Sequence, residues 1–227
     1  MNQYDAFRER LKRGAILADG AMGTMLHDQG NPIDACFDSF TVMKPAVVFD
    51  VHRAYVQAGA EIIETNTFGA NRFRLADHGL SDQVAEFNAA GVKLVQQAIE
   101  SAFKEQVFVA GAVGPLGVRL APYGRVRAEQ AYEAFHEQIT ALIAAGVDLL
   151  MMETFSDLHE LREAIQAARD TSTEVPIVTQ LTFTRDDRTL LGDTPEQVAA
   201  FLAEQAVDVI GINCSNGPSQ ICLLYTS

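Results

Sequence analysis

The sequence predicts an α/β fold, and more narrowly a (β/α)8 TIM-type barrel, truncated at its carboxyl end to about six βα units. Three observations carry that expectation. Short β-rich apolar runs alternate with longer amphipathic ones, the pattern of a parallel sheet wrapped by crossover helices. Strand starts recur about every 38 residues, a length that suits a strand, a helix and their loops. Nearly every strand ends in polar residues able to bind or react. A closed barrel gathers all such ends at one mouth, whereas a doubly wound sheet gathers only those near its switch point.

Strands are expected over 15–18, 61–65, 107–112, 147–152, 175–180 and 207–212, and helices over 46–58, 83–102, 128–144, 157–170 and 195–205. Thr194-Pro195-Glu196 supplies an N-cap, a proline at the first helical position and an acid in the first turn. Ser156-Asp157 plays the same part. Gly59 and Gly146 each close a helix shortly before a strand. The strand ends present Asp19, then Thr65 and Asn66, Gly114, Glu153, Gln180 and Thr182, and finally Asn213 and Cys214. Before Pro218 there is no linker-like run, internal repeat or low-complexity tract. The terminal CLLYTS (222–227) follows a loop without beginning a helix. It resembles the translated end of a transposon used in preparing sequencing libraries, and is expected to be a scar.

With 17 basic against 30 acidic side chains, the 227-residue chain has a formal charge of −13. That balance argues against a nucleic-acid-binding face or an anionic membrane surface as partner. No apolar stretch reaches the ~18 to 20 residues of a membrane span, and MNQYDAFRERLKRG lacks the apolar centre of a secretion signal, so a cytoplasmic protein is expected. Cys36, Cys214 and Cys222 are too few and too scattered for a disulfide framework.

Five segments could carry chemistry. DGAMG (19–23) delivers a carboxylate and flexible backbone to the mouth, or is a strand-ending turn with a capping Asp. In ETNTF (64–68), alternation sends Glu64 and Asn66 to one face of a strand and Thr65 to the other. GAVGPLG (111–117) lacks both the dinucleotide fingerprint and the P-loop Lys-Ser/Thr, and reads as a tight turn. METF sets Glu153 directly after an apolar strand, where an unpaired carboxylate calls for a cation or a proton. Asn213-Cys214-Ser215 places a thiol at the same rim, as nucleophile, metal ligand or bystander. A Cys-His pair is not expected, because none of the five histidines falls at a strand end.

Taken together, DGAMGTML, KPAVVFDVHRAYVQAGAEIIETNTFGANRFRLADHGL, GAVGPLG, METFSDLHELREA and GINCSNGP resemble, in order, the blocks of the homocysteine S-methyltransferase family. That family includes the homocysteine-binding domains of cobalamin-dependent methionine synthase and of bifunctional homocysteine S-methyltransferase/methylenetetrahydrofolate reductase. The GANRFRLADHGL stretch is closer to the bifunctional group. The resemblance implies a barrel domain over 1–221, incomplete, that transfers a methyl group to the thiol of homocysteine, giving methionine. It implies Zn2+ held by three protein thiolates, with the substrate sulfur as fourth ligand. Cys214 matches the first thiolate; the other two would form a Cys-Cys pair in a later glycine-rich block that this sequence does not reach, so the truncated chain is expected to be inactive. It further implies that Asp19 and Glu153 hold the substrate ammonium, that amides around Gly20, Ala21 and Met22 lie near its carboxylate, and that Asn66 supports the site. The donor could be methylfolate, methylcobalamin or a methyl-sulfonium. Two other readings are a lyase or hydrolase with Mg2+ among Asp19, Glu64 and Glu153, and a non-catalytic module that binds an amino acid.

Overall fold

The computed structural model describes residues 3–104, 106–215 and 217–226. Asn216 of the GINCSNGP block and Ser227 of the terminal segment therefore lie outside the described residues. Helix α1 (Gln3–Leu11) leads to the short helices α2 (Met22–Asp28) and α3 (Phe40–Met43), then α4 (Pro45–Ala58) and strand β1 (Ile62–Glu64). Next come α5 (Arg72–Ala76), α6 (Val84–Ser101), β2 (Phe108–Val113), α7 (Ala128–Ala145), β3 (Leu149–Phe155) and α8 (Leu158–Thr171). The chain continues through β4 (Ile177–Leu181), α9 (Pro195–Ala203), β5 (Val209–Ile212) and α10 (Pro218–Thr226).

All strand pairs are parallel and the order is β1-β2-β3-β4-β5. Order in space repeats order in sequence, with none of the reversal that defines a doubly wound sheet. Alternate strand residues point to opposite faces. Ile63, Val109, Leu150, Met152, Ile177 and Leu181 pack under the helices with residues such as Phe135, Ile139 and Leu161. On the other face, side chains from every strand (Ile62, Phe108, Ala110, Leu149, Met151, Val178 and Val209) cluster with Phe7 of α1. Arg8 bonds Asp208, just before β5, at 2.6 Å, and Arg10 bonds Glu61, just before β1, at 2.8 Å. One short helix thus ties both edges of the sheet together at its amino end.

The expected caps are present. Thr194 makes a capping box with Gln197 ahead of Pro195, and Gly59 and Gly146 adopt left-handed φ at helix ends. At α8 the cap is Asp157 rather than Ser156. The expected strand at 15–18 is not one: only Ala18 bridges to Ile62. The Leu17 carbonyl accepts from both Glu61 N and Ile62 N, at 2.7 and 3.2 Å, which interrupts the ladder. Among the described residues five strands, not six, therefore form the sheet. The terminal segment differs too. Its residues 222–226 lie in α10, because Pro218 suits a first helical turn and the Gly217 carbonyl accepts from Gln220 N and Ile221 N. Among the described residues, no helix is long and apolar enough to cross a membrane.

Candidate active site

The carboxyl ends of the strands open into a pocket of about 680 Å3, a volume typical of ligand sites. Asp19, Gly20, Ala21, Met22, Asn66, Glu153 and Cys214 all line it. The alternation that turns Ile62, Met151, Val178 and Val209 to the Phe7 side places Glu64, Glu153, Gln180 and Asn213 at matching positions further along. Thr65 and Asn66 were expected on opposite faces. Both border the pocket, because β1 stops at Glu64 and strand alternation no longer governs the residues beyond it.

Three carboxyl groups meet at one end. Asp19 Oδ2 accepts from Glu64 N at 3.0 Å, while its buried Oδ1 has no hydrogen-bond partner among the described residues. Burial, reinforced by the charge of Glu153, pushes the Asp19 pKa up to about 7. Glu64 is raised well above the ordinary carboxylate range, first by burial, then by the charges of Glu153 and Asp19 and by a side-chain bond to Glu153. Glu153 is raised by burial, against the pull of bonds from Glu64, Thr154 and Asn213. Like charges this close titrate as a group and share protons. A ligand cation at this end would let the carboxyls ionise.

Asn213 organises the neighbouring strand ends. Its Nδ2 donates to Glu153 Oε2 at 2.9 Å and to Thr154 Oγ1 at 2.8 Å, and its Oδ1 accepts from Thr154 N at 2.9 Å. Thr154 and Cys214 have φ of 62° and 46°, a region that non-glycine residues seldom occupy. Such backbone costs on the order of 1–3 kcal/mol per residue and clusters where function holds it in place. The exposed Cys214 is pinned through its carbonyl, which accepts from Thr182 Oγ1 at 3.0 Å, and its Sγ lies 3.7 Å from Asn213 Nδ2. Elsewhere on the wall, Asn66 Nδ2 donates to the Phe37 carbonyl at 2.7 Å, and Tyr55 Oη donates to the Ala21 carbonyl at 3.1 Å.

A second group of pocket residues comes from outside the strands: Phe37, Asp38, Phe68, Gly69, Arg74 and His78. Asp38 Oδ1 accepts from Gly69 N at 2.8 Å, and burial raises its pKa. Arg74 Nε donates to the Pro115 carbonyl at 2.8 Å, with the guanidinium 5.4 Å from the Phe68 ring centroid. Gly114 passes so close that a Cβ there would sit 2.4 Å from that ring. The expected tight turn of GAVGPLG is thus part of the pocket's frame. Glu160 of α8 supports it from behind, with Oε1 accepting from Leu116 N at 2.7 Å.

Burial lifts the Glu160 pKa to about 7, above its ordinary 4.5. Its contribution to stability is therefore full below pH 4.5 and is lost as pH rises through 7. Glu160→Gln keeps an acceptor for Leu116 N and removes the titration. Urea unfolding should show the variant gaining about 1 to 3 kcal/mol on wild type between pH 5 and pH 8; a pH-independent difference would contradict the assignment.

The described residues contain no group of three His, Cys, Asp or Glu side chains able to hold a metal ion. Asp19, Glu64 and Glu153 share the pocket without forming the carboxylate cage that the magnesium reading needs. Cys36 also lines the pocket and is half-buried, and Cys222 lies outside it.

The family model described as homocysteine S-methyltransferase matches residues 16–225. The chain belongs to the homocysteine S-methyltransferase family. It is 29% identical over 233 aligned residues to a methionine synthase of Mycobacterium leprae, covering 97% of this chain and 19% of that protein. To a methionine synthase of Mycobacterium tuberculosis it is 27% identical, over 93% of this chain and 19% of that protein. The chain thus spans about a fifth of the length of these curated relatives. Among solved structures it is similar to the metallated form of the Escherichia coli homocysteine methyltransferase MmuM. The TM-score is 0.79 and the identity 26%, over 92% of this chain and 78% of that one. The apo form of the same enzyme gives a TM-score of 0.72 at 26% identity.

In this family member the sequence pattern pointed to Asp19, Glu153, Asn213 and Cys214 through their place at strand ends. It left Arg74 and His78 unassigned, although both stand in the GANRFRLADHGL block. His78 borders the pocket from the turn after α5, which a search for histidines at strand ends passes over. Glu64 was separable as a pocket residue by its alternation with Ile62.

Proposed function

We propose that this chain is the homocysteine-binding barrel of a methyltransferase that places a methyl group on the homocysteine thiol, giving methionine. The observation that carries the reading is the joining of three half-buried carboxyls to the Asn213-Cys214 strand end within one pocket. Asp19 and Glu153 hold the substrate ammonium, the backbone of Gly20, Ala21 and Met22 lies near its carboxylate, and Asn66 supports the wall. An amino acid gripped at its ammonium keeps its thiol in the same pocket as Cys214. Asn213 orients Glu153 for that grip and sets the direction of the chain at Cys214. Closure of the sheet into a (β/α)8 barrel is supported by the sequential strand order and by α1 joining both sheet edges.

Zn2+ is the metal that family membership suggests, since a bound thiol is deprotonated yet still able to attack. Cys214, at the rim beside Asn213 and Glu153, is the thiol proposed as a ligand, although Cys36 lines the same pocket. The described side chains do not by themselves fit a zinc ion, because one exposed thiol stands where a structural or catalytic site takes three or four donors. The remaining thiolates are proposed to come from outside the described residues. The methyl donor is methylfolate, methylcobalamin or a methyl-sulfonium compound.

Calorimetric titration of homocysteine, with and without Zn2+, tests the proposal. Saturable binding is expected, and in a protein that supplies the remaining thiolates it should be tightened by the metal with Cys214 in place and not in Cys214→Ala. No binding in either condition would refute the functional reading, and an equal zinc effect in both proteins would refute the role of Cys214.

A further inference from the structure

We propose that Arg74 is the anion anchor of a second-substrate subsite, holding a carboxylate of the methyl donor at the end of the pocket away from the acidic cluster. The inference rests on the proposed methyl transfer to homocysteine and adds a property of the donor that this function leaves open. A pocket of about 680 Å3 is more than one small amino acid fills. Its lining divides into two chemically unlike groups. Asp19, Glu64, Glu153 and Asn213 interact with one another and suit an ammonium. The other group sets the rings of Phe37 and Phe68 and the Arg74 guanidinium beside Asp38, Asp77 and His78.

Arg74 is the permanently charged cation on this lining. Among the described residues it makes no ion pair. The two carboxyls that feel its charge, Asp38 and Glu160, are each engaged with a backbone amide instead, Gly69 N at 2.8 Å and Leu116 N at 2.7 Å. The guanidinium is also held in place. Its Nε is bound to the Pro115 carbonyl at 2.8 Å and its Cζ lies 5.4 Å from the Phe68 ring centroid, while Glu160 fixes the loop that carries Pro115. A guanidinium fixed through Nε keeps its terminal N–H groups for a ligand, and a planar fork matches a carboxylate. The acidic end repels a carboxylate, so an anionic group on the second substrate is sorted towards Arg74.

The test is calorimetry on the full chain, with homocysteine saturating. The probes are two carboxylate-bearing methyl donors, S-methylmethionine and 5-methyltetrahydrofolate, and the methyl ester of the first, which lacks the carboxylate. Arg74→Gln should weaken whichever carboxylate donor binds wild type by about tenfold or more, the usual loss of a charge-assisted contact. It should leave the ester and homocysteine itself within about twofold. Arg74→Lys should recover part of the loss, which a folding defect would not permit. Which donor responds identifies the source of the carboxylate. The proposal is overturned if neither carboxylate donor binds wild type, if Arg74→Gln weakens ester and acid alike, or if the loss falls on homocysteine. Absence of homocysteine binding to wild type is a separate outcome that defeats the proposed function instead.

Discussion

Acidification from pH 7.5 to pH 4.5 should destabilise the wild-type chain by about 2 to 3 kcal/mol more than His52→Phe, measured by urea unfolding at each pH. His52 sits in the middle of α4, fully buried, and neither ring nitrogen has a hydrogen-bond partner among the described residues. α4 packs against α2, α3, α6 and β1, with Val48 and Val51 in a cluster with Leu26, Phe40 and Leu94. Burial in these surroundings lowers the His52 pKa to about 3, from an ordinary 6.5. The unfolded chain therefore takes up a proton below pH 6.5 that the folded chain refuses until near pH 3. The stability that neutral His52 permits is present above pH 6.5 and drains away as the pH falls towards 3. Phenylalanine keeps a flat ring and removes both unpaired nitrogens, each of which costs on the order of 1 kcal/mol or more when buried. The variant should accordingly match or exceed wild type at pH 7.5. Asp19 and Glu160, raised to about 7, bias the whole protein in the opposite direction, so the difference between the two proteins isolates His52. Parallel stability profiles would show that water reaches the ring.

The architecture was legible where burial imposes a pattern. The expected runs at 107–112, 147–152 and 175–180 coincide with β2, β3 and β4 to within a few residues, because parallel strands covered on one side by helices and on the other by α1 are apolar on both faces. The long helices were marked by caps whose chemistry is local, as at Thr194, Gly59 and Gly146. The run at 15–18 has the same composition as a strand, but its partner strand doubles two amides onto the Leu17 carbonyl, an event in tertiary register that composition does not encode. α2, α3 and α5 have seven, four and five residues, too short for a 3.6-residue period to show.

The candidate site divides in the same way. Polar residues ending apolar runs stand out, which made Asp19, Glu153, Asn213 and Cys214 readable. Asp38, Arg74 and His78 reach the pocket from a 3-10 turn, a five-residue helix and the turn after it. Their approach depends on how these pieces fold back over Gly69 and Gly114, so only the assembled chain reveals them. The strained backbone at Thr154 and Cys214 is equally invisible in composition, since neither residue type advertises a left-handed φ.

Homocysteine affinity should rise between pH 5.5 and pH 7, by up to about tenfold per unit, and Asp19→Asn should both lower it and flatten that rise. An ammonium bound by Asp19 needs the carboxylate form, whereas burial and the charge of Glu153 keep this group protonated up to about pH 7 in the free pocket. Binding below that pH must therefore expel a proton, and the cost of doing so falls as the solution becomes less acidic. The window lies below the ~8.5 at which a free thiol ionises, so the profile reports the carboxyl cluster rather than the ligand sulfur. Asn at position 19 still offers an oxygen to Glu64 N, which separates loss of charge from loss of the strand contact at 3.0 Å. Glu153→Gln should weaken binding by about 10- to 100-fold, the range of a charge-assisted bond removed from a buried site. The double variant should lose less than the product of the two, because Asp19 and Glu153 already oppose each other's ionisation and each becomes easier to ionise when the other is neutral. Wild-type affinity in both single variants would place the ammonium somewhere other than between these two side chains.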